Sequence, residues 1–327
     1  MKSLIERFPL QLKEACLLNT DIAIETKGFS PQHVLICGMG GSGIGGSILS
    51  DLFTSEVSIP ILISKNYNLP GYVNENSLVI FCSYSGNTEE TLYAMNQALK
   101  ANCRIACVTS GGEMGKIAVQ NKIDCFWIPG GMPPRACLGY SMIQLLKILS
   151  QYKIISSDCY AEISKIVDTL TKNSEEIKSE ALKIAEFLIG KQIIIYSTEL
   201  TSAIGLRFKQ QLNENSKVHA HCENIPEMNH NELVAWSEKN ENMAVLFLRD
   251  ESEFAKNSLR IELNEVEIRK WTSTILHVYA KGDSGIEKNI YLIHLLDWAS
   301  LFLAELRNVD PMEINVLIYL KNCLSVK

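Results

Sequence analysis

Leu78-Val-Ile-Phe-Cys-Ser-Tyr-Ser-Gly-Asn-Thr-Glu-Glu-Thr-Leu-Tyr-Ala-Met-Asn-Gln-Ala-Leu99 is the stretch whose reading decides the fold. Leu78 to Cys82 is an unbroken apolar run, the pattern of a strand buried on both faces. From Leu92 to Leu99 the apolar spacing turns helical. Between them Ser83, Ser85 and Thr88 cluster around Gly86. A point where a strand ends and a helix begins gathers free backbone N–H groups and the positive end of the helix dipole, which suits an anion. The hydroxyls add donors, and glycine lets the backbone come close. Capping the helix takes one hydroxyl. Three within six residues point to a phosphate site.

The same alternation extends both ways. Val34 to Cys37 reads as a strand, followed by a glycine-rich turn and a helix from about Ser42 to Phe53. Further strands are expected over 59–64, 104–109 and 125–128. Residues 140–188 read as helical, with charge concentrated between Lys165 and Glu186, and carry the crossover to a second domain. There Gln192 to Tyr196 leads through Ser197 and Thr198 into a helix ending near Gln210, with later strands over 244–248 and 274–279 and a long helix over 286–306. This repeats the first half in element order, not in residues. The expected fold is α/β, two similar doubly wound domains with mainly parallel sheets flanked by helices, over 1–152 and 153–327, with ligand at the carboxyl ends of strands. A chain of 327 residues suits two domains of roughly 150 each.

Composition narrows the function. The chain is 46% hydrophobic and 21% charged, with a net charge of −6, which argues against nucleic acid as a main partner. No run approaches a membrane span, and the N-terminal segment, with Glu6, Arg7, Lys13 and Glu14 among apolar residues, reads as an amphipathic helix and not a signal peptide. The ten cysteines are scattered, mostly in apolar runs, as expected of reduced core thiols in a cytoplasmic protein.

Gly38-Met-Gly-Gly-Ser-Gly43 satisfies G-x-G-x-x-G between a strand and a helix. A dinucleotide site also wants a carboxylate at the end of the next strand, and Ser64-Lys65-Asn66 offers none, although Lys65 leaves a 2′-phosphate open. Helix-on-strand packing accounts for one or two glycines but not for six between Gly38 and Gly46. The turn, with Gly41 and Ser42, reads as a second wall of one phosphosugar pocket.

Titratable groups gather in the second half. Glu214 lies in Asn213-Glu-Asn-Ser-Lys217, just past a helix, and Pro226-Glu-Met-Asn-His-Asn-Glu232 follows. A metal could be drawn from His219, His221 and His230 with Glu223 or Glu232, but zincin spacing is missing and acid–base work is preferred. His219 and His221 read as ordinary loop residues, and His230 beside Glu232 as a positioned acid/base. Arg135, after Gly130-Gly-Met-Pro-Pro134, sits on a stiff, exposed turn and could stabilise an oxyanion.

Together these segments resemble the SIS (sugar isomerase) domain family, and within it the bifunctional phosphoglucose/phosphomannose isomerases; the motifs fall in family order over nearly the whole chain. The resemblance implies that Gly41, Ser42, Ser83, Ser85 and Thr88 hold the phosphate of a hexose 6-phosphate. It implies Glu214 as the base moving a proton between C1 and C2, a base made effective by shielding from water. His230 would open the sugar ring from the partner subunit of a homodimer, Arg135 would stabilise the enediolate, and Lys321 would join the site. No metal, nucleotide or organic cofactor is implied. Relatives that accept mannose 6-phosphate carry a threonine before that lysine, whereas Asp310 to Ile318 has none. A phosphosugar-sensing regulator is the alternative; it would keep the serine loop but have no use for Glu214 and His230 together. A dehydrogenase ranks third.

Overall fold

The computed structural model describes residues 1–325. Two parallel sheets organise it. The first holds β1 (His33–Gly38), β2 (Ile61–Ser64), β3 (Ser77–Ser83), β4 (Arg104–Thr109) and β5 (Asp124–Trp127) in the order β2-β1-β3-β4-β5. The second holds β6 (Gln192–Ser197), β7 (Ala220–Asn224), β8 (Met243–Arg249) and β9 (Ile275–Tyr279) in the order β7-β6-β8-β9. The α/β, doubly wound expectation is met, and the second sheet repeats the strand order of the first.

The chain forms two compact units, Glu6–Lys172 with Gly282–Ile290, and Asn173–Lys281 with Met1–Ile5 and the residues from Tyr291 onward. Compactness thus groups the helix Cys159–Lys172 with the first sheet, past the 152/153 division expected from sequence.

In the first unit Leu35, Cys37, Val79, Phe81 and Cys107 point to one face, where Ala94, Met95 and Ala98 of the helix Glu89–Lys100 and Met114 and Ala118 of the helix Gly112–Gln120 cover them. On the other face the helix Gly40–Phe53 lies so close that a Cβ on Gly46 would meet Ile36 at 2.7 Å. Each fully buried Val, Leu or Phe there is worth roughly 1.5–3 kcal/mol. In the second unit Ile194, Tyr196, Val245 and Phe247 pack on Ile261 and Ile268 of the helix Ala255–Ile268. The same cluster takes in Ile225, Met228 and Trp236, so the segment after β7 is pinned to the core. β7 itself reads Ala-His-Cys-Glu-Asn and was not anticipated. An edge strand need not be apolar, and this one has no hydrophobic run to announce it.

Candidate active site

In a 2-1-3-4 sheet the crevice opens where neighbouring strands send their connections to opposite faces, here between β1 and β3. The serine loop leaves β3 at that point. Ser83 is fully buried, and its Oγ lies 2.8 Å from Thr88 Oγ1 and accepts the Gly86 N–H at 3.1 Å. Thr88 therefore spends its hydroxyl on Ser83 and makes no side-chain cap for the helix it precedes. Simple capping does not account for the cluster. Gly86 has φ +67°, and a Cβ there would meet the Gly111 carbonyl oxygen at 1.8 Å, so this turn admits only glycine. Exposed Ser85 accepts the Asn87 N–H at 3.2 Å.

Ser42, near the start of the helix Gly40–Phe53, accepts the Tyr84 N–H at 3.0 Å and so joins the glycine turn to the serine loop. Gly41, Ser42, Ser83, Tyr84 and Pro134 line one small cleft. A Cβ on Gly41 would meet the Arg135 backbone nitrogen at 2.9 Å, so that glycine seats the Pro134–Ala136 turn. Arg135 is 3% exposed, buried where the sequence suggested an exposed turn. Packing also claims more of the glycines than expected: a Cβ on Gly43 would meet the Gly38 carbonyl oxygen at 2.2 Å.

In the second unit Glu214 is the last residue of the helix Ser202–Glu214, half-buried. That helix is fastened along one side to the helix Gly285–Leu306. Arg207 Nη2 donates to Asp297 Oδ2 at 2.6 Å and Gln211 Nε2 to Oδ1 at 2.8 Å, all buried. Burial pushes the Asp297 carboxyl up, against the pull of Arg207. One turn on, Asn215 Nδ2 donates to Ser300 Oγ at 2.9 Å and Ser216 Oγ to the Ser300 carbonyl at 2.6 Å. Lys217 Nζ donates to the carbonyls of Glu214 and Glu313, at 2.5 and 2.8 Å. The residues around Glu214 in the Asn213–Lys217 motif are thus its mounting.

Glu214 and His230 of one chain belong to different elements of the second unit. The helix Ser202–Glu214 runs back from the carboxyl end of β6, and Ala220 then pairs with Ile193 at the amino end. His230, ending the turn Glu227–His230, follows Asn224 at the carboxyl end and is exposed. Glu232 holds a different histidine from the one expected. Its Oε2 lies 2.7 Å from His221 Nε2, and its Oε1 accepts the Tyr196 hydroxyl at 2.7 Å. Trp236 Nε1 donates in turn to the Tyr196 oxygen at 3.1 Å. The sequence hid this because His221 belongs to the unrecognised strand β7. Lys321 is exposed on the helix Asn315–Ser325. Among the described residues no group of three or more His, Cys, Asp or Glu side chains is arranged to hold a metal, and no helix is long and apolar enough to cross a membrane.

The profile of the bacterial phospho-glucose isomerase C-terminal SIS domain matches residues 177–324. A bifunctional phosphoglucose/phosphomannose isomerase of Caldicellulosiruptor bescii is 34% identical over 98% of each chain. One from Aquifex aeolicus is 34% identical over 90% of this chain and 91% of its own length. The fold matches the C-terminal domain of a glucosamine-fructose-6-phosphate aminotransferase from Francisella tularensis with a TM-score of 0.75 at 17% identity, over 95% of this chain and 97% of that one. With relatives this similar along its whole length, the chain belongs to the bifunctional phosphoglucose/phosphomannose isomerase family of SIS proteins.

Proposed function

We propose that the protein is an aldose–ketose isomerase interconverting glucose 6-phosphate and fructose 6-phosphate through a cis-enediolate. The observation that carries this reading is 34% identity across 98% of the chain to an enzyme named for that activity. Gly41, Ser42, Ser83, Ser85 and Thr88 take the phosphate. The carboxylate of Glu214 removes the C2 proton of the open-chain aldose and returns it to C1. Arg135 balances the charge on the enediolate oxygens, and Lys321 joins the site. His230 serves the preceding ring opening by giving a proton to the ring oxygen as its bond to C1 breaks, while the C1 hydroxyl gives up its proton to water and becomes the aldehyde oxygen. Positioned acid–base catalysis of this kind is worth roughly 10²–10⁴-fold. Residues 1–152 supply the phosphate loop, and 153–327 the base, histidine and lysine.

A homodimer is part of this reading. Each site takes its base from one copy and its ring-opening histidine, His230, from the other. Ten cysteines without a disulfide among the described residues suit the reducing cytoplasm, where we place the enzyme. Because residues 310–318 lack threonine, we assign glucose 6-phosphate as the preferred aldose over mannose 6-phosphate. Incubation with fructose 6-phosphate and separate quantitation of both aldoses tests this. Glucose 6-phosphate should dominate the initial rate; formation of neither aldose overturns the assignment, and mannose 6-phosphate in excess overturns the preference.

A further inference from the structure

A second cavity, of about 540 Å³, lies within the first unit. It is walled by the end of the helix Phe8–Leu17, the end of the helix Leu138–Gln151 and the helix Cys159–Lys172. None of the residues assigned to the hexose phosphate lines it. Its volume is in the range of small-molecule sites.

Lys147 decides what it can hold. The side chain lines the cavity, yet the residue is only 8% exposed. Its ammonium donates to the carbonyls of Cys16, at 2.9 Å, and of Leu18, where the helix Phe8–Leu17 ends. Those contacts use two of three donors. They answer the charge only with the partial negative end of a helix dipole. None of the described ion pairs includes Lys147. A buried ammonium without a carboxylate is costly, and an anion in the cavity would relieve it. The Lys147 ammonium has a third donor beyond its two carbonyl contacts, and Lys147 is among the residues lining the cavity. Around it Leu17, Ile163 and Val167 form an apolar stretch, and hydroxyls come singly, as from Ser150 and Ser164. Lys13 and Asp168 line the cavity with opposite charges, so that the lining as a whole carries one positive charge. A phosphate dianion needs a cradle of N–H groups that this wall lacks. One charge and an apolar body match it better.

We propose that this cavity binds a monocarboxylate with an apolar body, its carboxylate on Lys147 and its tail along Leu17, Ile163 and Val167. Calorimetric titration of the full-length protein with decanoate tests it, with decanol as the same body without the charge. Decanoate should bind at least tenfold more tightly than decanol. Lys147→Met should weaken decanoate at least tenfold and leave decanol within about twofold. Because that change also removes a brace on the helix Phe8–Leu17, Ser164→Trp gives an independent arm. Ser164 is an exposed lining residue, and an indole there should fill the cavity and abolish binding of both probes without changing isomerase activity. Equal affinity for decanoate and decanol, or unchanged decanoate binding in either variant, overturns the proposal.

Discussion

The two sheets have the same strand order around their first strands, β2-β1-β3-β4 and β7-β6-β8-β9, yet their crevices carry opposite chemistry. At the first, hydroxyls and glycine N–H groups line the loop after β3. At the equivalent point of the second, β8 runs into Arg249-Asp250-Glu251-Ser252-Glu253. Arg249 there is consumed by Glu253, with Nε 2.9 Å from its Oε1, and Asp250 Oδ1 accepts both the N–H and the hydroxyl of Ser252. A loop of carboxylates repels a phosphate. The fold supplies a crevice twice, and side chains decide which one an anion enters. The second unit's residue of greatest interest, Glu214, is instead at the amino end of its sheet, outside the usual carboxyl-end rule.

The strongest way to break this comparison is to separate the roles of Glu214 and His230. Glu214→Gln should leave substrate binding near normal and cut turnover by roughly 10²–10⁴-fold. His230→Ala should slow closed-ring substrate far more than open-chain substrate. If each site takes Glu214 from one copy and His230 from the other, mixing the two variants and allowing subunit exchange should restore roughly a quarter of wild-type activity on closed-ring substrate, from one intact site in each mixed dimer. No recovery, with exchange verified, would place both residues in the same copy's site.

A smaller effect tests the serine loop against its counterpart. Ser83→Ala removes the hydroxyl that pairs with Thr88 and accepts the Gly86 N–H. Hydrogen bonds serving a charged group are worth about 1.5–3 kcal/mol, so KM should rise roughly 10- to 100-fold. Ser252→Ala, which strips a hydroxyl from the matching loop after β8, should leave KM within about twofold. Equal effects would mean that the second crevice also meets the sugar phosphate.

How much of this was legible in the sequence depended on whether a residue's role is local. The β1 and β3 strands, their turns and the serine loop were readable because buried parallel strands are unbroken apolar runs and the loop chemistry is contiguous. Arg135 was read as exposed, since nothing local reveals that Gly41, far away in sequence, seats its backbone. Glu232 was paired with its neighbour His230 by proximity in sequence, whereas pairing across space selects His221 from β7. The mounting of Glu214 was invisible for the same reason: Asp297 and Ser300 reach it from a helix more than eighty positions away.

The smallest effect at neutral pH, and the one that sharpens the comparison in stability, concerns His294 of the second unit. It is buried on the helix Gly285–Leu306, with Trp298 Nε1 donating to its Nε2 at 3.2 Å. Burial first, and the nearby Lys178 second, depress its pKa to about 3. The folded form therefore refuses a proton that the unfolded chain takes up near pH 6.5. Its stabilisation is complete above that value and is lost as pH falls from about 6.5 toward 3, at up to roughly 1.4 kcal/mol per pH unit. Lowering the pH from 7.5 to 5 should cost about 2 kcal/mol from this group alone. His294→Gln keeps an acceptor for the indole and cannot titrate. Denaturant midpoints for this variant should fall less between pH 7.5 and 5 than those of the wild type. Parallel losses in the two proteins would show that His294 does not set the acid sensitivity of the second unit.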